Sequence, residues 1–262
     1  MPGIDAMTRA ALCLLAILGA SSIGSTALGA DIQVMTGGAP KEVLAVLTPE
    51  FEKKTGHKVH FTFAVISAIQ QKLSAGEKPD MVLMPVPAIE ARVKDGTFRG
   101  DARAALGTVR IGLVVRDGAK KPDISTLDSF KQAVLAAKSV VHSNPAATPS
   151  GGHLAKVWEQ LGIADAMKPK LTFSNALDGG VALITKGQAE IGLYPLSEII
   201  AEKGVTVVGL IPRDVQLNTV YGAAVLTANG APEPATAFVK FLADPANAKH
   251  WKEAGFEPAD GR

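Results

Sequence analysis

From Asp31 onward, short apolar runs alternate with segments of helical spacing, and this alternation limits the fold more than any single motif does. Ile32 to Met35 is an apolar run closed by Thr36-Gly37-Gly38-Ala39-Pro40. Lys41 to Thr55 follows, with Val43, Leu44, Leu47 and Phe51 on one helical face and Gly56 as the stop. Val59 to Val65 alternates as a half-buried strand, and Ala68 to Ala75 reads as a helix. Asp80 to Met84 is a buried strand, and a helix is predicted over Ala88 to Asp95. A longer extended stretch covers Val109 to Arg116.

After that stretch the pattern restarts. A helix is predicted over Leu127 to Ala137, a strand over Ser139 to His142, and a Pro/Gly-rich loop over Ser143 to Gly152. His153 to Leu161 reads as a helix, Leu171 to Phe173 as a strand and Gly179 to Lys186 as a helix. Strands follow at Ile191 to Tyr194 and Val205 to Leu210, then a second extended segment at Tyr221 to Leu226. Helices over Pro234 to Leu242 and Pro245 to Ala254 close the chain. Strands alternating with helices predict parallel sheets covered on both faces. Two α/β domains are expected, the second inserted into the first: 31–113 with 222–262, and 114–221. The two extended segments would be the crossings, with a cleft between the domains where the strand ends meet.

The first thirty residues differ in kind. Arg9 precedes the apolar run Ala11 to Ala20, and small residues lead from Ser21 to Gly29 and Ala30. This order predicts a secretory signal over 1–30, cleaved between 22 and 30. Its apolar run is about half the length a bilayer span requires, so no stable membrane insertion is expected after removal. Cys13, the only cysteine, lies within it. The exported chain would therefore have no disulfide, thiolate metal ligand or cysteine nucleophile. Hydrophobic residues make up 47% of the chain, enough for a core that needs no disulfides. The 27 basic and 25 acidic side chains are mixed along the chain, so nucleic acid is not an expected partner.

Five segments carry a resemblance. DIQVMTGGAPKEVLAVLTPEFEKKTGHKVHFTF, KPDMVLMP, PAATPSGGHLAKVWEQLGI, KGQAEIGLYPLSEI and AFVKFLADPANAKHWKEAGF resemble, in order and spacing, periplasmic solute-binding proteins of the molybdate-binding type. The resemblance implies the type II periplasmic binding protein fold: two α/β domains, two crossing strands and an interdomain cleft that holds a small anion. In that family serine hydroxyls, backbone N–H groups and a tyrosine hold the oxyanion. The matching positions here read Ala39, Ile66 (beside Ser67) and Pro195 (beside Tyr194). Three altered hydroxyl positions point away from molybdate, while helix starts on the same loops still favour an anion.

An enzymatic branch of this fold implies the expected activity: interconversion of trans- and cis-aconitate by allylic proton transfer. The alternative is a periplasmic receptor that delivers a molybdate-like oxyanion or an organic carboxylate to an ABC permease. The proton shift requires an acid/base group and donors for carboxylates, with no cofactor or metal. His153, at a helix start, and Tyr194, at a strand end, are the candidate catalytic residues. His153 is either a base or an exposed first-turn histidine, and Tyr194 either a donor or core. Thr36, Gly38, Ala39, Ser67, Thr148, Ser150 and Gly151 are the candidate ligand-binding residues. Their alternative roles are turn formation and helix capping. His142 is a further candidate, Asn144 and Asn175 are weaker donors, and Tyr221 reads as structural. The sequence has no HExxH, GxSxG or P-loop motif.

Overall fold

A computed structural model describes residues 29–175, 180–228 and 230–259. The expected signal therefore lies outside the described residues, except for Gly29 and Ala30. The first half of the chain forms β1 (Asp31–Thr36), α1 (Lys41–Thr55), β2 (Lys58–Phe63), α2 (Ile66–Ser74), β3 (Met81–Pro85) and α3 (Val86–Lys94). Then come β4 (Phe98–Arg116), α4 (Leu127–Ala136), β5 (Val140–Ser143), α5 (Pro149–Gln160), α6 (Ala164–Met167), β6 (Leu171–Ser174) and α7 (Val181–Thr185). The chain ends with β7 (Ile191–Pro195), β8 (Val205–Leu210), β9 (Asn218–Leu226), α8 (Pro232–Leu242), α9 (Ala248–Glu253) and β10 (Phe256–Glu257).

Two lobes share one strand. In the first, β2, β1 and β3 run parallel, and β9 lies antiparallel to β3. The first part of β4, to Arg110, pairs with β9. From Ile111 onward, β4 instead pairs with β7 and β8 of the second lobe. There β7, β5 and β6 run parallel. The sheets thus change over at 110/111 and ahead of Asn218.

Gln216 closes the changeover. Its Oε1 accepts the Ile111 N–H at 2.7 Å, and its Nε2 donates to the Ile111 carbonyl at 3.0 Å and the Ile211 carbonyl at 3.1 Å. The side-chain amide thus gives the Ile111 N–H its partner, while the Ile111 carbonyl also accepts the Ile211 N–H at 3.1 Å.

Both sheets are packed on two faces. Phe51, Phe238 and Trp251 lie on one side of the first sheet and Ile69, Met84 and Ile89 on the other. Phe130, Trp158 and Met167 cover one face of the second, and Val114, Ile184 and Tyr194 the other. Full burial of such a side chain stabilises the fold by about 1.5–3 kcal/mol. α1 buries the predicted stripe and ends where Gly56 takes a φ of 76°, in the left-handed region that favours glycine.

Two departures from the sequence reading matter for the site. α5 begins at Pro149, inside the stretch read as loop, because Thr148 caps it and accepts the Gly151 N–H at 3.1 Å. β4 begins at Phe98, although Gly100, Asp101 and Arg103 along its first part are exposed and polar.

Candidate functional site

The carboxyl ends of the parallel strands face one another between the lobes. β1 ends at Gly37 and Gly38, which lead into α1, and β2 ends at Ala64 and Val65, which lead into α2. Across from them lie Ser143 at the end of β5, Ser174 and Asn175 at the end of β6, and Pro195 at the end of β7. The start of α5 adds Thr148, Pro149 and Ser150, and the crossing strand β9 adds Thr219 and Tyr221. Glu198, on the 3-10 turn after β7, completes the cavity these residues line.

The cavity is narrow, with about 30 Å³ of room for the centres of water molecules. That is space for about two waters. The lobes also touch directly, since the Ser67 N–H donates to the Ala147 carbonyl at 3.3 Å. Among the described residues no lysine, arginine or histidine lines the cavity. An anion there would be held by hydroxyls, the Asn175 amide and the positive ends of backbone dipoles.

Tyr221 is the cavity's phenol. Its oxygen lies so close to Gly37 that a Cβ built there would sit 3.1 Å from it and 3.0 Å from Ile66 Cδ1. A larger residue there would press on both side chains. The ring meets Phe256 edge-on, with centroids 6.0 Å apart at 87°. Burial, with the Glu198 charge adding to it, pushes the phenol far above its ordinary value. It therefore remains an O–H donor throughout the physiological range.

The sequence candidates divide. Gly38, Thr148 and Ser150 line the cavity, with the two hydroxyl oxygens 3.3 Å apart. Thr36 is fully buried beneath it and donates to the Gly37 carbonyl at 3.1 Å, holding the turn. Ala39 belongs to the first lobe's core. Ser67 contributes its backbone bridge to Ala147 and is not a lining residue. Gly151 lets α5 approach β5: a Cβ there would lie 2.3 Å from the Ser143 carbonyl oxygen.

Both candidate proton-transfer residues lie outside the cavity lining. His153 does not line the cavity; its Nε2 donates to the Val215 carbonyl at 2.8 Å, tying α5 to the second crossing. Tyr194 is fully buried against Val114, Val141 and Ile184, with its oxygen beside Gly180. Its neighbour Leu193 faces the opposite core, so alternation along β7 puts Tyr194 on the other face of the sheet. Tyr221, read as structural, is the tyrosine at the cleft. Period-two spacing carried that signal, since Thr219 and Tyr221 share a face of β9.

His142 is fully buried and outside the cavity lining. Its Nδ1–H donates to the Ser143 carbonyl at 2.8 Å and its Nε2 accepts the Trp158 N–H at 3.3 Å, an arrangement that fits only the neutral ring. Burial holds its pKa below the ordinary histidine value. The remaining histidines lie elsewhere: His57 Nδ1 accepts the Ala30 N–H, His60 pairs with Asp31, and His250 lies near Glu253. Among the described residues no cluster of His, Cys, Asp or Glu could hold a metal ion. No described helix is long and apolar enough to cross a membrane.

Known proteins share this architecture. The family profile described as bacterial extracellular solute-binding protein matches residues 32–257. An aconitate isomerase of Pseudomonas sp is 33% identical over 252 residues, covering 92% of this chain and 95% of that protein. The molybdate-binding protein ModA of Escherichia coli (strain K12) is 24% identical, covering 86% of this chain and 88% of that protein. Among solved structures, the periplasmic molybdate-binding protein of Azotobacter vinelandii superposes with a TM-score of 0.74 at 18% identity. That match covers 88% of this chain and all (100%) of that one.

Proposed function

We propose, on the premise that this chain belongs to the bacterial extracellular solute-binding protein family, that its cleft isomerises aconitate between the trans and cis forms. The reading places the protein in the periplasm after loss of its signal. The observation that carries it is a cavity of neutral donors from both lobes that, among the described residues, also holds one carboxylate, Glu198. The whole-length similarity to an aconitate isomerase supports the choice of substrate.

The chemistry needs what such a cleft offers. One methylene proton leaves a carbon beside a carboxylate, the double bond moves along the allylic system, and a proton returns at the far carbon. Negative charge spreads onto the substrate carboxylates, where the Tyr221, Thr148 and Ser150 hydroxyls would donate. Closing of the lobes, here proposed as domains that hinge at β4 and at the second crossing, would exclude water during the transfer. His153 and Tyr194 would act at a distance, fixing α5 and β7 in place.

The molybdate-binding relatives favour a second reading, a receptor that passes an oxyanion or organic carboxylate to an ABC permease. One assay separates the two. The purified exported form is incubated with trans-aconitate while cis-aconitate is followed, alongside calorimetry with molybdate. Turnover is expected. Tight molybdate binding without turnover would establish the receptor reading instead.

A further inference from the structure

We propose that the two crossings carry a second anion site apart from the cleft, a groove that takes a small ligand bearing two or more carboxylate or phosphate groups and bridges the lobes. The proposal holds whether the cleft isomerises its ligand or only binds it. Side chains alternate along a strand, so the crossings serve two cavities. Val109, Thr219 and Tyr221 line the cleft, whereas Thr108, Arg110 and Asn218, one position away, line the groove. The groove encloses about 800 Å³, against roughly 300–1,000 Å³ for small-molecule sites.

Its charge sets the ligand class. Among the described residues Arg110, Arg213 and Lys252 line it with one carboxylate, Glu257, a surplus of two positive charges. Glu257 is already paired with Arg110. Arg213 and Lys252 have no ion-pair partner among the described residues. Asp214 and Glu253, their neighbours in sequence, do not line the groove, and Glu253 lies against Lys249 and His250 instead. A wall of this charge draws in an anion that carries at least two charges of its own. The Arg213 guanidinium offers a planar fork for carboxylate or phosphate oxygens, and Lys252 a movable point charge. Thr108 and Asn218 add neutral donors.

The cations belong to different lobes. Arg110 ends the pairing of β4 with β9, and Lys252 lies on α9 next to Trp251 of the first lobe's core. Arg213 opens the 3-10 turn Arg213–Val215, which Val215 anchors in the second lobe's core. Gln216, which serves the Ile111 and Leu217 amides, also lines the groove. An anion held by Arg213 and Lys252 together would tie the second crossing to α9 and oppose local opening at the changeover.

The test uses the purified exported form, with sodium pyrophosphate and sodium tricarballylate as probes, and calorimetry at about 0.15 M salt. Saturable binding of at least one probe is expected, and the tighter probe tells phosphate from carboxylate. Arg213→Gln/Lys252→Gln should weaken that binding about tenfold or more. Lys203→Gln/Lys249→Gln removes the same charge away from the groove and should leave the binding within about twofold, as should Tyr221→Phe in the cleft. With the tighter probe bound, hydrogen exchange at Ile111 and Leu217 should slow about threefold or more. Absence of saturable binding by both probes would overturn the site. So would binding that survives Arg213→Gln/Lys252→Gln, or that falls equally in Lys203→Gln/Lys249→Gln. Binding without slower exchange would overturn the bridge between the lobes. Arg213 and Lys252 are exposed, so the double variant is expected to fold; if it does not, the two single variants decide by the same comparison.

Discussion

Tyr194 and Tyr221 both sit in β-strands, and the direction each side chain takes decides its role. The Tyr194 side chain enters a closed core, whereas Tyr221 reaches the cleft beside Gly37. Tyr221→Phe is therefore expected to weaken anion binding about tenfold, as loss of a hydrogen bond to a charged group does. Tyr194→Phe should leave affinity within about twofold, because Tyr194 is not among the residues that line the cavity; calorimetry on both variants checks this. His153→Ala should keep turnover and lower stability by about 1 kcal/mol, since it loses its bond to Val215. His142 gives a pH signature. Its folded pKa is depressed, so its stabilising contribution is complete above the unfolded value, about 6.5, and is lost as pH falls through the folded value. Urea midpoints should drop toward acid pH in the wild type, and less steeply in His142→Gln. At this scale the sequence was least legible. Tyr221 stands outside the five resembling segments and Glu198 stands unremarked in one of them, and only the fold brings residues 198 and 221 to one cavity.

Elements were easier to read than residues. α1 appears with its predicted limits and buried face because its apolar spacing and Gly56 act locally. The start of α5 was hidden because Pro149-Ser150-Gly151-Gly152 has a loop's composition, although Thr148 and Pro149 are also a cap and a first helical residue. Gly151→Ala tests how tightly α5 is seated. The new Cβ would meet the Ser143 and Asn144 carbonyl oxygens at 2.3 and 2.6 Å, both backbone atoms that cannot swing aside. A loss of about 1–3 kcal/mol is expected, readable by urea unfolding. Gln216→Ala should expose the Ile111 amide at the changeover, and hydrogen exchange at Ile111 and Leu217 should quicken relative to the sheet interiors.

For the whole molecule, strand–helix alternation predicted both lobes, but the polar first part of β4 concealed how much of one strand they share. On the isomerase reading, the Ser67–Ala147 bridge between the lobes would open for substrate exchange. A Ser67→Cys/Ala147→Cys pair would tie the cleft shut, since Cys13 lies in the expected signal. The oxidised variant should lose turnover, and a thiol reductant should restore it. β4 has one more effect. Ile111, Leu113 and Val115 alternate into the core of Phe130 and Trp158 on the same strand that is registered with β9 up to Arg110. The lobes therefore keep a common phase. One residue inserted at the changeover would turn these three side chains to the wrong face, while two would restore the alternation. The irregular second crossing, Ile211 to Leu217, is under no such parity rule, so changes of odd length belong there.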